Sequence, residues 1–509
     1  METLVLLSFL SILIFFIVIH KQRKNRAKLP PGPPHLPLIG NLHQFDNSTA
    51  HSFLWQLSKL YGPIIALRLG SKPTVVVSSA KLAREVLKTH DLKFASRPPL
   101  VALRKLSYNG LDLGFAPYGP YFREMKKLCV QHLFSSHRVQ SFRSIREHEV
   151  AQMIRKISQH EASGTVVNLT ETLMSFTNSL ICRIAFGKKY GYEYEEVEVG
   201  SKRSKLQGLL NEAQALLTEF YFSDYIPLLG WVDRFRGILW RLDKIFKELD
   251  AFYDRVIGDH MGSGRVNSKN SEHDVEDIVD ILLQLLNDRS FSLHLTLDHI
   301  KAVLMNIFIA GTDPSSATIV WAMTALLRNP KAMKKVKEEV RNVLGDKDFI
   351  NEDDIERLSY LKAVVKETLR LFPPSPLLLP RETMERCKIG GYEIEPKTLV
   401  YVNAWGIARD PENWENPQEF CPERFLGSCV ELKGNEFELI PFGYGRRMCP
   451  GKHMALVNVE LSVANLIHTF DWELPQGILM DEMLDTEVKP GITMHKKRDL
   501  FLVPKKSTI

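Results

Sequence analysis

The chain has 509 residues, 44% of them hydrophobic, enough to bury a large core, and a net charge of +6 that is modest for its length. Lysines and arginines are spread along it rather than clustered with aromatics, so no nucleic-acid partner is expected. The six cysteines, Cys129, Cys182, Cys387, Cys421, Cys429 and Cys449, lie far apart with no Cys-x-x-Cys pair, which suggests neither a disulfide framework nor a zinc site.

Leu4 to Ile19 is apolar apart from Ser8 and Ser11. It falls slightly short of the ~20 residues that span a bilayer, but its flanks can extend it. Only Glu2 carries a charge ahead of the run, whereas Lys21, Arg23, Lys24, Arg26 and Lys28 follow it. A cleaved signal peptide carries its positive charge before the apolar stretch, and bases behind it hold the remaining chain in the cytosol. The expectation is a signal-anchor transmembrane helix over residues 1–20 in the endoplasmic reticulum membrane, a basic and proline-rich hinge over 21–40, and a cytosolic domain over 41–509. Pro30-Pro-Gly-Pro-Pro34 fixes successive φ angles and gives the hinge a stiff, polyproline-like segment. Asn47-Ser-Thr49 and Asn168-Leu-Thr170 match glycosylation sequons, which a cytosolic domain would not use.

Pro63 to Leu69 and Thr74 to Ser78 are aliphatic or β-branched runs around Gly70-Ser-Lys72 and predict a hairpin. Ala80 to Leu87 reads as a helix capped by Ser78 or Ser79. From Leu100 to Tyr121 glycines and prolines break any periodicity. Helical periodicity dominates from Phe122 to Leu295, interrupted by an acidic patch at Glu193 to Glu198 and a polar linker at Gly262 to Ser271. Thr296 then caps a helix that runs to Asn329, ahead of Pro330. In its middle, Gly311 leaves a face without a side chain, open to a flat ligand or to dioxygen. Asp313 is a carboxylate in an apolar helix, a costly placement unless it is hydrogen-bonded or functional. Pro314 removes an N–H from the ladder and should kink the helix at the Ala310 carbonyl.

Glu367 and Arg370 are i,i+3 neighbours in a periodic stretch, and Pro422-Glu-Arg-Phe425 follows some fifty residues on. Last comes Phe442-Gly-Tyr-Gly-Arg-Arg-Met-Cys-Pro-Gly451, a glycine-rich loop leading into the apolar run Met454 to Leu461. Its glycines let the backbone approach something flat, and a cysteine ahead of a helix N-terminus is favoured as a thiolate. An inert buried cysteine is the bland alternative, which this many fixed residue types in ten positions disfavours.

Phe442, Gly445, Arg447, Cys449 and Gly451 fill a pattern that resembles the haem-binding loop of the cytochrome P450 family, in which the cysteine ligates iron. The order of motifs fits that resemblance along nearly the whole chain. It implies a mainly α fold with small β-sheets, an N-terminal membrane anchor and a haem-thiolate catalytic domain. Glu367, Arg370 and Arg424 would form a structural triad, two forks sharing one carboxylate. Arg447, Arg381, Arg97 and Lys126 would face the haem propionates. Phe122 and Lys126 stand where the family usually has tryptophan and arginine. The oxygen-activation helix would carry Gly311, Asp313, Pro314 and Ser315, with proline in place of the relay threonine. Ser315 is the nearest hydroxyl that could stand in, with solvent as the alternative.

The stretches Leu369 to Glu382 and Asn403 to Asp410 are most similar to plant microsomal members of specialised metabolism, and Phe115 to Glu124 is similar to the branch that oxidises aldoximes. The resemblance implies haem b as cofactor and electrons from NADPH through NADPH-cytochrome P450 reductase. Cytochrome b5 is a further candidate partner, and Arg123, Lys127 and Lys452 are a candidate docking face for an acidic donor. Pocket segments implied by the family are Leu100 to Phe115, Asn211 to Ile226, Val303 to Phe308, Ser375 to Leu379 and Gly491 to Thr493, with Leu377, Leu378, Leu379 and Ile492 nearest the haem. They are largely apolar, which suits oxidation of a hydrophobic small molecule by a monooxygenase. A haem-thiolate dehydratase or isomerase acting without reductase, for instance on an aldoxime, is the second reading, kept open by the missing threonine. A membrane haem protein that only binds ligands is the third, and the Gly-x-Asp of the long helix weighs against it.

Overall fold

The computed structural model describes residues 29–45, 49–188, 205–262, 275–288, 293–345, 347–427 and 437–507. The expected anchor helix and its basic flank, Asn47 and Ser48 of the first sequon, the acidic patch and nearly all of the polar linker lie outside the described residues.

The hairpin forms as the residue pattern predicts, from β1 (Ile64–Leu69) and β2 (Lys72–Val77), antiparallel with Leu69 opposite Lys72. Chain α1 (Ala50–Tyr61) precedes it. The next helix is shorter than expected, Ala80–Arg84, capped by the Ser79 side chain on the Leu82 N–H, and it loosens into a wider turn over Glu85–Thr89. Leu100 to Tyr121 is not wholly irregular, because Val101–Leu106 closes one helical turn before the glycines intervene.

The long helices then follow: α2 (Pro120–His132), α3 (Arg143–Ser163), α4 (Leu169–Phe186), α5 (Lys205–Thr218), α6 (Ile238–Gly262), α7 (Ile278–Asn287), α8 (Leu297–Arg328), α9 (Pro330–Leu344), α10 (Ser359–Leu371) and α11 (Lys452–Thr469). Helix α2 begins with Pro at its first position, where a missing N–H costs nothing. Asn168 caps α4 by accepting from the Glu171 N–H, a structural use of that sequon residue. Helix α8 starts at a capping box between Thr296 and His299 and runs unbroken through Pro314, so the expected kink does not interrupt it. From Ser315 to Leu326 it is buried all round, as a central helix must be, and it packs most extensively on α4, then on α11 and α10. It is the one described helix long and apolar enough to cross a membrane, and most of its apolar stretch is buried in protein.

Short strands line the interior. β3 (Val167–Asn168) comes before α4, and β4 (Arg381–Glu382), β5 (Cys387–Ile389), β6 (Tyr392–Ile394) and β7 (Leu399–Val402) lie between α10 and the cysteine loop. The larger sheet has the order β1-β2-β7-β4, in which β7 runs parallel to β2. β8 (Phe470–Glu473) and β9 (Phe501–Lys506) join β3 in a second sheet. The main core lies around α4, α8 and α11, and a smaller one sits under the four-stranded sheet.

Candidate functional site

The cysteine loop is shaped by hydrogen bonds to itself and by its glycines. Gly443 N–H donates to Ile440 O at 3.0 Å, Met448 N–H to Gly445 O at 3.1 Å, and Cys449 N–H to Phe442 O at 3.0 Å. Gly445 has a φ of +74°, and a Cβ there would lie 2.5 Å from the Leu87 carbonyl oxygen. Only glycine satisfies both conditions. The close approach lets the Arg446 N–H donate to Asp91 Oδ2 at 2.9 Å, which ties the loop to the segment after Thr89. Thus this glycine serves contact with protein rather than with a ligand.

The Glu367 network forms as the resemblance implied. Arg370 makes a fork to Glu367 at 2.7 and 2.8 Å, and Arg424 Nε reaches the same carboxylate at 3.1 Å. Glu367 and Arg370 are fully buried, and every remaining donor named for Arg370 meets a carbonyl, of Ala408, Pro417 or Glu419. The Cys421 N–H completes the shell on Glu367. A buried charge pair is tolerable only when satisfied in this way.

Between the cysteine loop and α8 lies a cavity of about 650 Å³. Cys449, Phe442 and Arg447 line it from one side, with Gly311, Asp313, Pro314 and Ser315 from α8, and Arg97, Lys126 and Arg381 at its edge. The structure therefore brings all the singled-out residues to one space. Ala310 is the α8 residue most open to it. Gly311 has a second role that the sequence did not reveal: a Cβ there would come within 2.8 Å of the Ile181 side chain, so it also allows α4 to pack closely.

Burial pushes the Cys449 thiol up, opposed by the Gly451 N–H and the charge of Lys452. The helix N-terminus and a bound metal cation would both favour the ionised sulfur against that burial. Nearby, cations are crowded. Arg97 donates to the carbonyls of Gly114, Leu379 and Pro380, and Arg447 to those of Ala95, Leu113 and Ala116. Arg381 pairs with Asp91 at 3.2 Å, and Lys126 donates to the Arg446 carbonyl. Burial, then the charge of Arg381, brings Arg447 down to about 9; burial, then Arg447 and Arg381, depresses Arg97. Lys126 is lowered by burial and by Arg447. A site in which several cations repel one another suits a ligand carrying carboxylates, and the apolar remainder suits a flat macrocycle. The Arg447 guanidinium lies 3.7 Å from the centroid of Phe122, the ring that stands in for an indole.

The upper wall corrects the residue list. Leu378, Leu379 and Ile492 line the cavity, but Leu377 packs away from it against the Leu54 and Ile65 cluster. Leu378 holds a φ of 53°, rare for a leucine, and so reaches over Gly443. From α5 come Gln207, Asn211, Gln214 and Thr218, spaced so that one helical face is polar where an apolar wall was expected.

Four functional candidates escaped sequence reasoning. Asp91 anchors Arg381 and Arg446. Asn306 accepts from the N–H groups of Leu113 and Gly114 and donates to Asp112, pinning the loop over the cavity to α8. Burial raises Asp112 to about 6 against the hydrogen bonds of Asn306 and Phe115. His495 meets Asp313 across the cavity wall at 2.8 Å. Asp112 and Asn306 lie within the predicted pocket segments Leu100 to Phe115 and Val303 to Phe308, and His495 two places beyond Gly491 to Thr493, whereas Asp91 carried no signal.

The cytochrome P450 family model matches residues 30–503. Among curated relatives, cytochrome P450 71A9 of Glycine max is 48% identical over 97% of each chain. The 5-OH-xanthotoxin synthase of Pastinaca sativa is 46% identical over 97% of this chain and 96% of its own, and the 6,7,8-trihydroxycoumarin synthase of the same plant is 45% identical over the same shares. A zebra fish cytochrome P450 solved with abiraterone superposes with a TM-score of 0.73 at 25% identity, covering 90% of this chain and 99% of that one. With a family model over almost all of the described chain and relatives of this identity, the protein belongs to the cytochrome P450 family, as a haem-thiolate monooxygenase of plant specialised metabolism that oxidises a hydrophobic small molecule with electrons passed from NADPH by a reductase.

Proposed function

We propose that the substrate is a planar, oxygen-bearing aromatic of the coumarin type, hydroxylated on its ring. The observation that carries this reading is the mixed lining of the cavity. Leu378, Leu379 and Ile492 give it aliphatic walls, whereas the α5 face offers Gln207, Asn211, Gln214 and Thr218. A face of amides and hydroxyls suits a molecule with oxygens on its rings better than a wholly aliphatic one. The name of the trihydroxycoumarin synthase supports the same class. The test is product analysis in microsomes fed separately with coumarins, aldoximes, terpenoids and phenolics. Turnover of aldoximes or terpenoids with none of coumarins would reject the substrate class, and product formed without NADPH and reductase would favour the dehydratase reading.

In this reading Cys449 is the iron ligand, and Arg97, Arg381, Arg447 and Lys126 neutralise the propionates, with Phe442 against the macrocycle. When bound, the haem supplies oxygen activation, promoted by electron density from its thiolate. The chain's own work is to hold and orient the substrate, exclude bulk water, and bring protons to the α8 side at Gly311, Asp313, Pro314 and Ser315.

Membrane attachment is part of the proposal, with residues 1–20 as a signal anchor in the endoplasmic reticulum, 21–40 as a hinge and the catalytic domain, 41–509, in the cytosol. It is supported by an exposed apolar face beside the hinge. Leu38 is 75% exposed, Leu228 82% and Phe235 83%, with Trp231 and Trp240 close by in sequence and also exposed. Ser71 N–H bonds to Tyr225 O, and Gly70 N–H to Ile39 O, so the β1–β2 turn joins the two apolar segments. An exposed patch of this kind marks an interaction surface. Cytochrome b5 as a second electron donor belongs to the same proposal, docking with the reductase on the basic face of Arg123, Lys127 and Lys452.

A further inference from the structure

We infer that Asp313 and His495 form a two-residue proton relay that takes the place of the hydroxyl absent at Pro314. The inference rests on the role proposed above for Asp313.

Asp313 sits in the middle of α8 and is almost fully buried, a position that an unpartnered carboxylate would not tolerate. Its Oδ1 is 2.8 Å from His495 Nε2, which belongs to a segment more than 180 residues away in the chain. Pro314 offers neither a hydroxyl nor an N–H. The Thr318 hydroxyl, one turn on, is engaged with the Pro314 carbonyl at 2.7 Å. The Thr312 hydroxyl is buried with no partner among the described residues and is not part of the cavity lining. Histidine differs from each of these hydroxyls in having two ring nitrogens, one for the acid and one for the outside.

The ring is held rather than free. Met494 accepts from the buried Trp321 indole at 2.7 Å and donates to the Pro374 carbonyl at 2.8 Å. His495 O accepts from the Lys489 N–H, and Val488 bridges Lys496 antiparallel, so residues 488–496 form a small hairpin beside α8. The His495 side chain remains 23% exposed, against 6% for Asp313. Both line the cavity, as do Ile492 and Thr493 of the same hairpin, so the segment that touches substrate also carries the relay. Lys489 and Asp499, paired at 3.2 Å, extend the polar wall beyond the ring.

The transfer is simple to balance. A proton arrives at His495 Nδ1, the Nε2 proton passes to Asp313 Oδ1, and the carboxyl releases it to the cavity beside Ala310. The ring resets by rotating away from Asp313, losing its Nδ1 proton to solvent and taking one from solvent at Nε2. One proton moves inward, no electrons move, and no bond to carbon is made or broken. His495 acts through Asp313 and is therefore a positioning and proton-feeding residue.

The test compares His495→Gln, Asp313→Asn and the double variant in full-length enzyme reconstituted with reductase. Glutamine keeps a donor toward Asp313 but cannot carry a proton through. Product and peroxide per NADPH, kcat and KM are measured, together with backbone amide exchange of residues 488–496. We expect each single variant to lower kcat about ten-fold or more with peroxide rising at the expense of product, KM unchanged, and amide exchange unchanged. The double variant should be no worse than the worse single one, because the pair acts as a unit. Wild-type coupling in His495→Gln with uncoupling in Asp313→Asn would remove His495 from the path and leave the role of Asp313 standing. Wild-type coupling in Asp313→Asn would reject that role and the relay with it. Additive losses would show two independent residues, and losses that track faster loop exchange would make His495 a strut; either overturns the relay.

Discussion

At the scale of single residues, the site depends on groups whose replacement has distinct signatures. Cys449→Ala removes the soft anionic ligand at the loop tip, and the reduced carbon-monoxide spectrum of a thiolate-ligated haem should vanish from the purified protein. A variant that keeps that band would remove Cys449 as the ligand. Gly445→Ala acts differently, through the backbone. Its φ of +74° and the Leu87 carbonyl 2.5 Å from a built Cβ leave no relaxed position for a methyl group. The expected loss is about 2–4 kcal/mol of stability, measured by denaturant titration. A midpoint equal to that of the native protein would show that the loop can move away from Asp91.

At the scale of elements, α8 and the α6–α7 junction behave in opposite ways. Pro314 deprives α8 of a hydrogen bond to the Ala310 carbonyl although the helix continues through it. Pro314→Ala should return that bond and raise stability, by up to about 3 kcal/mol. An unchanged melting temperature would mean that the carbonyl already has a partner of equal worth. Between α6 and α7, His260 Nε2 meets Asp277 Oδ2 at 2.9 Å, while its other nitrogen meets the Val256 carbonyl. Burial alone would lower the His260 pKa, but the hydrogen bond and charge of Asp277, the Val256 carbonyl and the charge of Asp280 together outweigh it and the pKa is raised. A histidine whose folded pKa is raised contributes stability that is complete below the unfolded value, about 6.5, and is lost as pH rises through the folded value. The melting temperature should therefore fall above about pH 6.5 more steeply in the native chain than in His260→Gln. Parallel pH profiles would rule out this junction as the source.

At the scale of the whole molecule, one buried carboxylate joins three parts of the fold. Glu367 on α10 binds Arg370 of its own helix, Arg424 of the Pro422–Phe425 turn, and the Cys421 N–H. Glu367→Gln leaves two guanidinium groups facing an amide and should cost about 3–5 kcal/mol, with faster haem loss on dilution. Native haem retention in this variant would mean that the cysteine loop is held without the triad. Deleting Met1 to Lys28 should move the protein toward soluble fractions while haem incorporation persists, because the insertion energy and the haem cavity lie in different parts of the chain. A truncated chain unable to take up haem would make the anchor part of the fold.

Much of this was already determined by the order of residues, where the physics is local. Aliphatic and β-branched runs around Gly70-Ser-Lys72 determine a hairpin, Thr296 and Pro330 bound a helix, and the i,i+3 spacing of Glu367 and Arg370 puts acid and base on one face. The cysteine loop is equally local, because its left-handed positions need glycine wherever the loop sits. What sequence could not supply depends on segments distant in the chain. Leu377 and Leu378 are adjacent and both apolar, yet only the left-handed backbone at Leu378 decides which of them enters the cavity. Gly311 read as space for a ligand, and only the arrival of Ile181 from α4 shows that it is also space for a helix. The polar face of α5 has meaning only once it lines the same cavity as the cysteine loop. Asp313 announced itself as an expensive charge, but its partner comes from near the other end of the chain, because a hydrogen bond depends on distance in space and not on separation in sequence.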